Sequence, residues 1–370
     1  MQIQNNYHSI NNIQNNLFKN AHIVNTNSNQ NDNNHSSATL ELSQHSMDKY
    51  FEKGIFGNNR SKDFILNVSA DNTYSSDLVK EYGQKYAEVY EKIMANVDDN
   101  KKGEYIEKLD AAFEEAISKE SQDMLSKINK LSDSNNKELA FDKDAFNKLF
   151  KDVAHAVKDY YVDNAREPIS NYIDTKVGFS NRSDFKTYNA FSTVMDIVDI
   201  TDDLMNKMNT QKYMLTKYSP DEIINSKDIY KSIMSRSEVA SNAMEKLGKL
   251  YDSISEDELG DTIKNGLMKA LKQKEHKLND MNGKMQRYTE YLEEYKKIQE
   301  KIQKATAKRD KLSVKLDKAN EAKNQDLIKM YLKSVATQDN EIANLKAKSA
   351  EIEAKMAGLL KDINDMDVSE

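Results

Sequence analysis

Residues 328–363 read IKMYLKSVATQDNEIANLKAKSAEIEAKMAGLLKDI. In this segment Ile328, Tyr331, Val335, Gln338, Ile342, Leu345, Ser349, Ile352, Met356, Leu359 and Ile363 alternate steps of three and four. An average step of 3.5 residues keeps one narrow stripe turned toward a partner helix, which is the pattern of a coiled-coil seam. Upstream, Met281, Met285, Tyr288, Leu292, Tyr295, Ile298, Ile302, Ala305, Arg309, Leu312, Leu316 and Ala319 form a second stripe, with one irregular step after Tyr295.

The two stripes do not join in phase. Ala319 and Ile328 are nine residues apart, two more than a heptad. The interval 320–326 between them is polar and carries Asn320 and Asn324, whose side chains compete for backbone hydrogen bonds and suit turns. A turn there predicts an antiparallel hairpin with a definite register. Ala319 faces Ile328, Leu312 faces Val335, Ile302 faces Leu345 and Tyr288 faces Leu359. Arg309 falls opposite Gln338, a polar pair of the kind that fixes register at some cost in stability. Each arm spans roughly 55 Å at 1.5 Å per residue. The competing arrangement is one bent helix paired with a second chain.

Composition extends the helical reading to the whole chain. Among 370 residues there are only two Pro and ten Gly, and no Trp. With abundant Lys, Glu, Asp, Ala and Leu this favours a nearly all-α fold. The absence of Cys excludes disulfides, thiolate metal sites and a Cys nucleophile. The scarcity of Arg beside plentiful Asn and Lys fits AT-rich coding. No run of 18 apolar residues is present, so no transmembrane segment is expected. The first residues do not show a basic and then apolar leader. The composition fits a cytoplasmic protein, or one exported without a classical signal peptide.

Net charge is −7, unevenly spread. Residues 272–365 hold 21 Lys+Arg and 16 Asp+Glu, a balance of +5, which leaves −12 for the remainder. A basic hairpin on an acidic body suits docking or steering, although mixed charge is also the ordinary surface of an exposed coiled coil.

Three regions follow. Residues 1–48 form an Asn-, Gln-, Ser- and His-rich tract with too little apolar surface to order itself, so a disordered tail is expected. Within it the short apolar pattern from Ile10 to Val24 suits a helix formed on a partner.

Residues 49–254 read as a helical body. It opens irregularly, with Phe64 to Val68 as an extended segment. Helices are predicted over 77–97, 104–131, 143–165, 183–218 and 223–251, with a loop at 98–103. The 183–218 helix is the most apolar and belongs at the centre. Ser219-Pro220-Asp221-Glu222 is a helix start, with Ser219 as cap, Pro220 where no N–H is needed and Glu222 closing a capping box. Ser255 to Glu258 is a second capping box. It opens the third region, 255–366, which leads into the hairpin. The fold class is therefore all-α: a multi-helix bundle with a long C-terminal antiparallel coiled-coil hairpin and a disordered N-terminal tail.

Candidate chemistry is sparse. Asp98 to Gly103 imitates an EF-hand start but places Lys102 and Leu109 where ligands belong. Asp196, Asp199, Asp202 and Asp203 share a helix face. Such a face holds Mg²⁺ and diphosphate when a second acidic motif faces it, and otherwise reads as a solvated acidic face. His155 with Asp152 and Asp159 lacks a nucleophile. The Lys run from Lys296 to Lys318 lacks the Arg that nucleic acid recognition favours, so no nucleic acid is expected. No cofactor or metal is implied. Tyr82, Tyr86 and Tyr90 form a stripe that is either core or a partner surface. With Arg309 and Gln338 they are the candidate interaction residues.

The function these features favour is non-enzymatic. The body and arm would be presented to a protein partner or to a second copy of the chain. The alternatives are a helical pore-forming or membrane-active subunit, and an enzyme using the acidic face. The pore-forming reading has its best apolar stretch at Tyr188 to Ile200, interrupted by Asp196 and Asp199.

Overall fold

A computed structural model of the chain describes residues 47–49, 51–52, 54–56, 74–131 and 142–366. The expected disordered tail, apart from its last two residues, and the Phe64 to Val68 segment lie outside the described residues. Within them the architecture is an all-helical bundle with a long C-terminal helical hairpin. The principal helices are α1 (Ser75–Asn96), α2 (Asp99–Leu131), α3 (Lys143–Val162), α4 (Ile169–Val177), α5 (Tyr188–Lys217), α6 (Pro220–Asn225), α7 (Lys227–Ser253), α8 (Lys269–Glu321) and α9 (Gln325–Asp365).

Helix α5 is the axis of the body. Ile197 through Asp202 are buried consecutively, so its whole circumference is covered. It packs against α1, α2, α4, α7, α8 and α9. At its N-terminal end Phe191 meets the rings of Phe146, Phe150, Phe179 and Phe185, at centroid distances of 5.3 to 6.5 Å. Aromatic pairs at such separations add stabilisation beyond area burial. Helices α1 and α3 approach closely at Gly83, where a Cβ would stand 2.9 Å from the Val157 side chain.

Several boundaries differ from the sequence reading, each for a local reason. The 98–103 segment is not a loop. Only Val97 and Asp98 separate α1 from α2, and the Asp98 carbonyl accepts from the N–H groups of Lys101 and Lys102. Helix α3 stops at Val162 because Asn164 turns left-handed, with φ 50°, and Ala165 N–H bonds back to the Tyr160 carbonyl. Pro168 then heads the short helix α4, which the sequence reading missed. The 223–251 helix is two helices. The Ser219–Glu222 capping box forms as expected, but Ser226 ends α6 and caps α7 through Ile229 N–H. The Ser255–Glu258 box also forms, and it starts one 3₁₀ turn rather than the long helix.

Between that turn and α8 the chain passes Gly260, which lies against residues 183–184. Gly260 N–H donates to the Asp184 carbonyl at 2.7 Å, and Lys186 N–H donates to the Glu258 carbonyl at 2.9 Å. A Cβ on Gly260 would stand 1.6 Å from the Ser183 carbonyl oxygen, so no other residue fits without moving the backbone. A π-helical turn, Ile263–Met268, leads into α8.

The hairpin has the predicted register. Gln299 Nε2 donates to Ser349 Oγ at 2.9 Å, and Arg309 Nε lies 3.5 Å from Asp339 Oδ1. Both pairs fit the alignment that sets Ile302 opposite Leu345. Every residue of the two predicted stripes is buried or half-buried. The turn is tighter than 320–326. Helix α8 runs to Glu321, Lys323 takes φ 52°, and the Asn324 side chain caps α9 through Leu327 N–H.

The base of the hairpin belongs to the body. Leu271 through Ile302 of α8, and Leu345 through Met366 around α9, join the common core. Lys212 of α5 secures the end of the second arm by donating to the Asn364 and Met366 carbonyls at 3.0 and 2.8 Å. A cation on the last carbonyls satisfies groups that no helix can satisfy internally. Beyond Ile302 and Leu345 the arms leave the common core. From Ile302 to Glu321 the distal part extends about 30 Å.

Candidate functional site

The distal hairpin gathers exposed apolar side chains within a short stretch of sequence. Six large apolar side chains are strongly exposed among the described residues, and four lie between Val314 and Leu332. Val314 and Leu332 are 55% and 52% exposed, with Leu327 and Met330 beside them in sequence. Lys311, Lys315, Lys318, Lys323, Lys329 and Lys333 interleave with these, against Asp317, Glu321 and Asp326. The helices expose these groups because their seams are already occupied by Leu312, Leu316, Ala319, Ile328 and Tyr331. The remaining faces have no body to cover them.

The polar pair inside the hairpin differs from expectation. Gln338 is buried, and its Oε1 has no hydrogen-bond partner among the described residues. Arg309 lies across from it but does not satisfy it. Its guanidinium lies within ion-pair distance of Asp310 at 3.4 Å and Asp339 at 3.5 Å, although its Nε makes no hydrogen bond among the described residues. A carboxylate at the rim attracts the cation more strongly than a neutral amide does.

The tyrosine stripe divides. Tyr82 and Tyr86 are buried in the core and offer no surface to a partner in this fold. Tyr86 Oη donates to Asp110 at 2.7 Å, and burial together with that bond raises its pKa. Tyr90 is half-buried and stacks on Tyr86 at 6.3 Å.

The acidic face of α5 is the largest departure from the sequence reading. It is not solvated. Asp199 and Asp202 are buried, and the group points at the N-terminus of α1 and at α2. Tyr74 at the N-cap of α1 provides no side-chain cap, so the orphan donors there are met from elsewhere in the fold. Ser75 N–H donates to Asp199 Oδ2 at 2.6 Å, and Ser76 Oγ donates to Asp196 Oδ1 at 2.6 Å. Ser75 Oγ donates to Glu120, itself buried on α2, at 2.7 Å. Lys127 Nζ bridges Asp199 at 2.7 Å and Asp123 at 2.6 Å. Asp202 meets Lys130 and Asn206, and Asp203 meets Lys207.

This is a buried polar network that uses the helix dipole of α1 to help hold its carboxylates. One member remains uncomfortable. Burial, reinforced by Asp77 and Asp199, raises the Asp196 carboxyl to about 6 despite its bond to Ser76. The carboxylates are thus engaged by serines and lysines rather than arrayed toward an open site. Among the described residues no group of three or more His, Asp or Glu converges as a metal site.

His155 is held by Glu114 at 2.6 Å and packs against the Phe113 ring, while Asp159 pairs with Lys176 at 3.4 Å. The sequence pairing of His155 with Asp159 is therefore not the one made. Among the described residues no helix is long and apolar enough to cross a membrane. Comparison with protein-family models, with curated proteins and with solved structures returned no match.

Proposed function

We propose that this is a non-enzymatic interaction protein that holds the distal half of a coiled-coil hairpin away from a helical body, for contact with a protein partner or with a second copy of the chain. The observation that carries this reading is the concentration of exposed apolar side chains, Val314, Leu327, Met330 and Leu332, on the part of the hairpin that leaves the core. Met330 and Leu332 stand about 200° apart around α9, on opposite flanks of Tyr331, so the tip offers apolar contacts on two sides of the hairpin rather than one patch. The surrounding lysines favour a partner with an acidic face and a fast, salt-sensitive encounter. The enzyme reading is weakened by the engagement of the α5 carboxylates. The pore-forming reading is weakened because Tyr188 to Ile200 forms the centre of the body.

The test replaces Val314, Leu327, Met330 and Leu332 together with Ser. The variant should keep its helical circular dichroism. It should lose concentration-dependent association in light scattering, or lose photocrosslinks that the wild-type tip makes to a purified partner. Unchanged association and unchanged crosslinks in the quadruple variant would overturn the reading.

A further inference from the structure

At the base of the hairpin, away from the tip, a cleft of about 700 Å³ opens between the end of α7, the 256–259 turn and the first turns of α8. Volumes of this order suit a small ligand. Its lining has two characters. Tyr251, Ile254, Leu259 and Met268 make an apolar floor, with Leu259 and Met268 buried. Lys264, Lys269, Lys272 and Lys277 line the side formed by the π-turn and α8.

Lys264 is spent on Glu256 at 2.8 Å, the one carboxylate lining the cleft. Lys269, Lys272 and Lys277 make no ion pair among the described residues. Lys272 also lies within electrostatic reach of Glu256, and Glu275 lies within reach of Tyr251, so the cleft keeps an excess of positive charge carried chiefly by Lys269 and Lys277. One buried polar atom also lacks a partner. The Tyr251 hydroxyl is shut off from solvent and makes no hydrogen bond among the described residues. Burial, reinforced by the nearby charge of Glu275, raises its pKa, so the phenol stays protonated. Shut off from solvent, the hydroxyl is out of reach of a ligand in the open cleft, so Tyr251 contributes its ring to the floor.

The local backbone is consistent with a site. The wide turn at Ile263–Met268 is π-helical, a form that recurs beside functional sites. It brings Lys264, Asn265 and Met268 onto the face that continues through Lys269, Lys272 and His276.

We infer that this cleft binds an anionic amphiphile, a phosphate- or carboxylate-headed molecule whose apolar part lies on Ile254, Leu259 and Met268 while Lys269, Lys272 and Lys277 meet its head. The inference is independent of the tip contact proposed above. Isothermal titration with octyl phosphate below its micelle concentration tests it, with inorganic phosphate and octyl glucoside as separate arms. Octyl phosphate should bind at one site per chain, inorganic phosphate at least tenfold more weakly, and octyl glucoside not measurably. Joint Lys269→Ala, Lys272→Ala and Lys277→Ala replacement should weaken octyl phosphate binding tenfold or more without shifting the thermal melt. Equal binding of inorganic and octyl phosphate would overturn the apolar half of the assignment. Binding of octyl glucoside as tight as octyl phosphate, no octyl phosphate binding at millimolar concentration, or an unaffected triple variant would overturn the whole.

Discussion

Replacing Asp196 with Asn removes one charge from the most crowded electrostatic region of the body while keeping the oxygen that accepts from Ser76 Oγ. In the fold this carboxyl titrates at about 6, against 3.8 for an unperturbed group. At about 1.4 kcal/mol per pH unit, the ionised form costs the folded state about 3 kcal/mol at most. The sign follows from the raised value. Below pH 3.8 the group is neutral in both states and costs nothing. As pH rises toward 6 the unfolded chain ionises first, and stability falls. Above 6 the full cost is present. Asp196→Asn should therefore stabilise the protein by about 1–3 kcal/mol at pH 7.5, and the gain should shrink toward zero near pH 4. Urea denaturation of both proteins across pH 4 to 8, followed by circular dichroism at 222 nm, measures this. A variant less stable than wild type at pH 7.5 would refute the reasoning, because it would mean that the charge is used rather than tolerated. A gain independent of pH would refute it as well, because it would have a cause other than ionisation.

Three further perturbations probe other parts of the fold. Gly260→Ala forces a Cβ against the Ser183 carbonyl and should cost more than about 2 kcal/mol, with cleft binding lost before the global melt if the 256–260 turn detaches alone; a melt within a degree of wild type would contradict the close approach. Lys323→Gly relieves a non-glycine residue at φ 52° and should stabilise the hairpin by about 0.5–1 kcal/mol, read as greater amide protection of Ala319 and Ile328 in hydrogen exchange. Ile302→Ala and Leu345→Ala should each cost about 1–3 kcal/mol, and the double variant should cost about 0.5 kcal/mol or more below their sum. Strict additivity would argue against the facing register.

The hairpin was legible because a 3.5-residue repeat is a local pattern with one physical solution, and because the out-of-phase interval from Asn320 to Asp326 forced a turn. Its position on the body was not legible, since Lys212 meets Asn364 and Met366 from about 150 residues away in sequence. Helix α4 escaped notice because only Ile173 among its nine residues is buried, too little for a periodic signal. The break at Ser226 was hidden inside a run that keeps helical spacing across it. The candidate residues divided in the same way. Tyr82 and Tyr86 have the spacing of a packing seam and lie in one, whereas Arg309 found Asp339 because charge outweighed the strict facing rule. The α5 carboxylates misled most. Four acids on one helix face are ordinarily solvated, and nothing near them in sequence announces Ser75, Glu120 or Lys127, which lie 72 or more residues upstream of Asp199.

The anchoring of the start of α1 by side chains of α2 and α5 also constrains how the molecule can be divided. Asp199 holds the Ser75 amide across 124 positions of sequence, and Glu120 holds the Ser75 hydroxyl across 45. A fragment starting at α2 would retain Glu120, Asp196 and Asp199 without the Ser75 and Ser76 donors that they accept from. Such a fragment would have to admit water or bind protons to stay folded. Helix α1 thus supplies the hydrogen-bond donors that the central helix's buried carboxylates need, and the body does not divide cleanly on that side even though its helices follow one another in simple order along the chain.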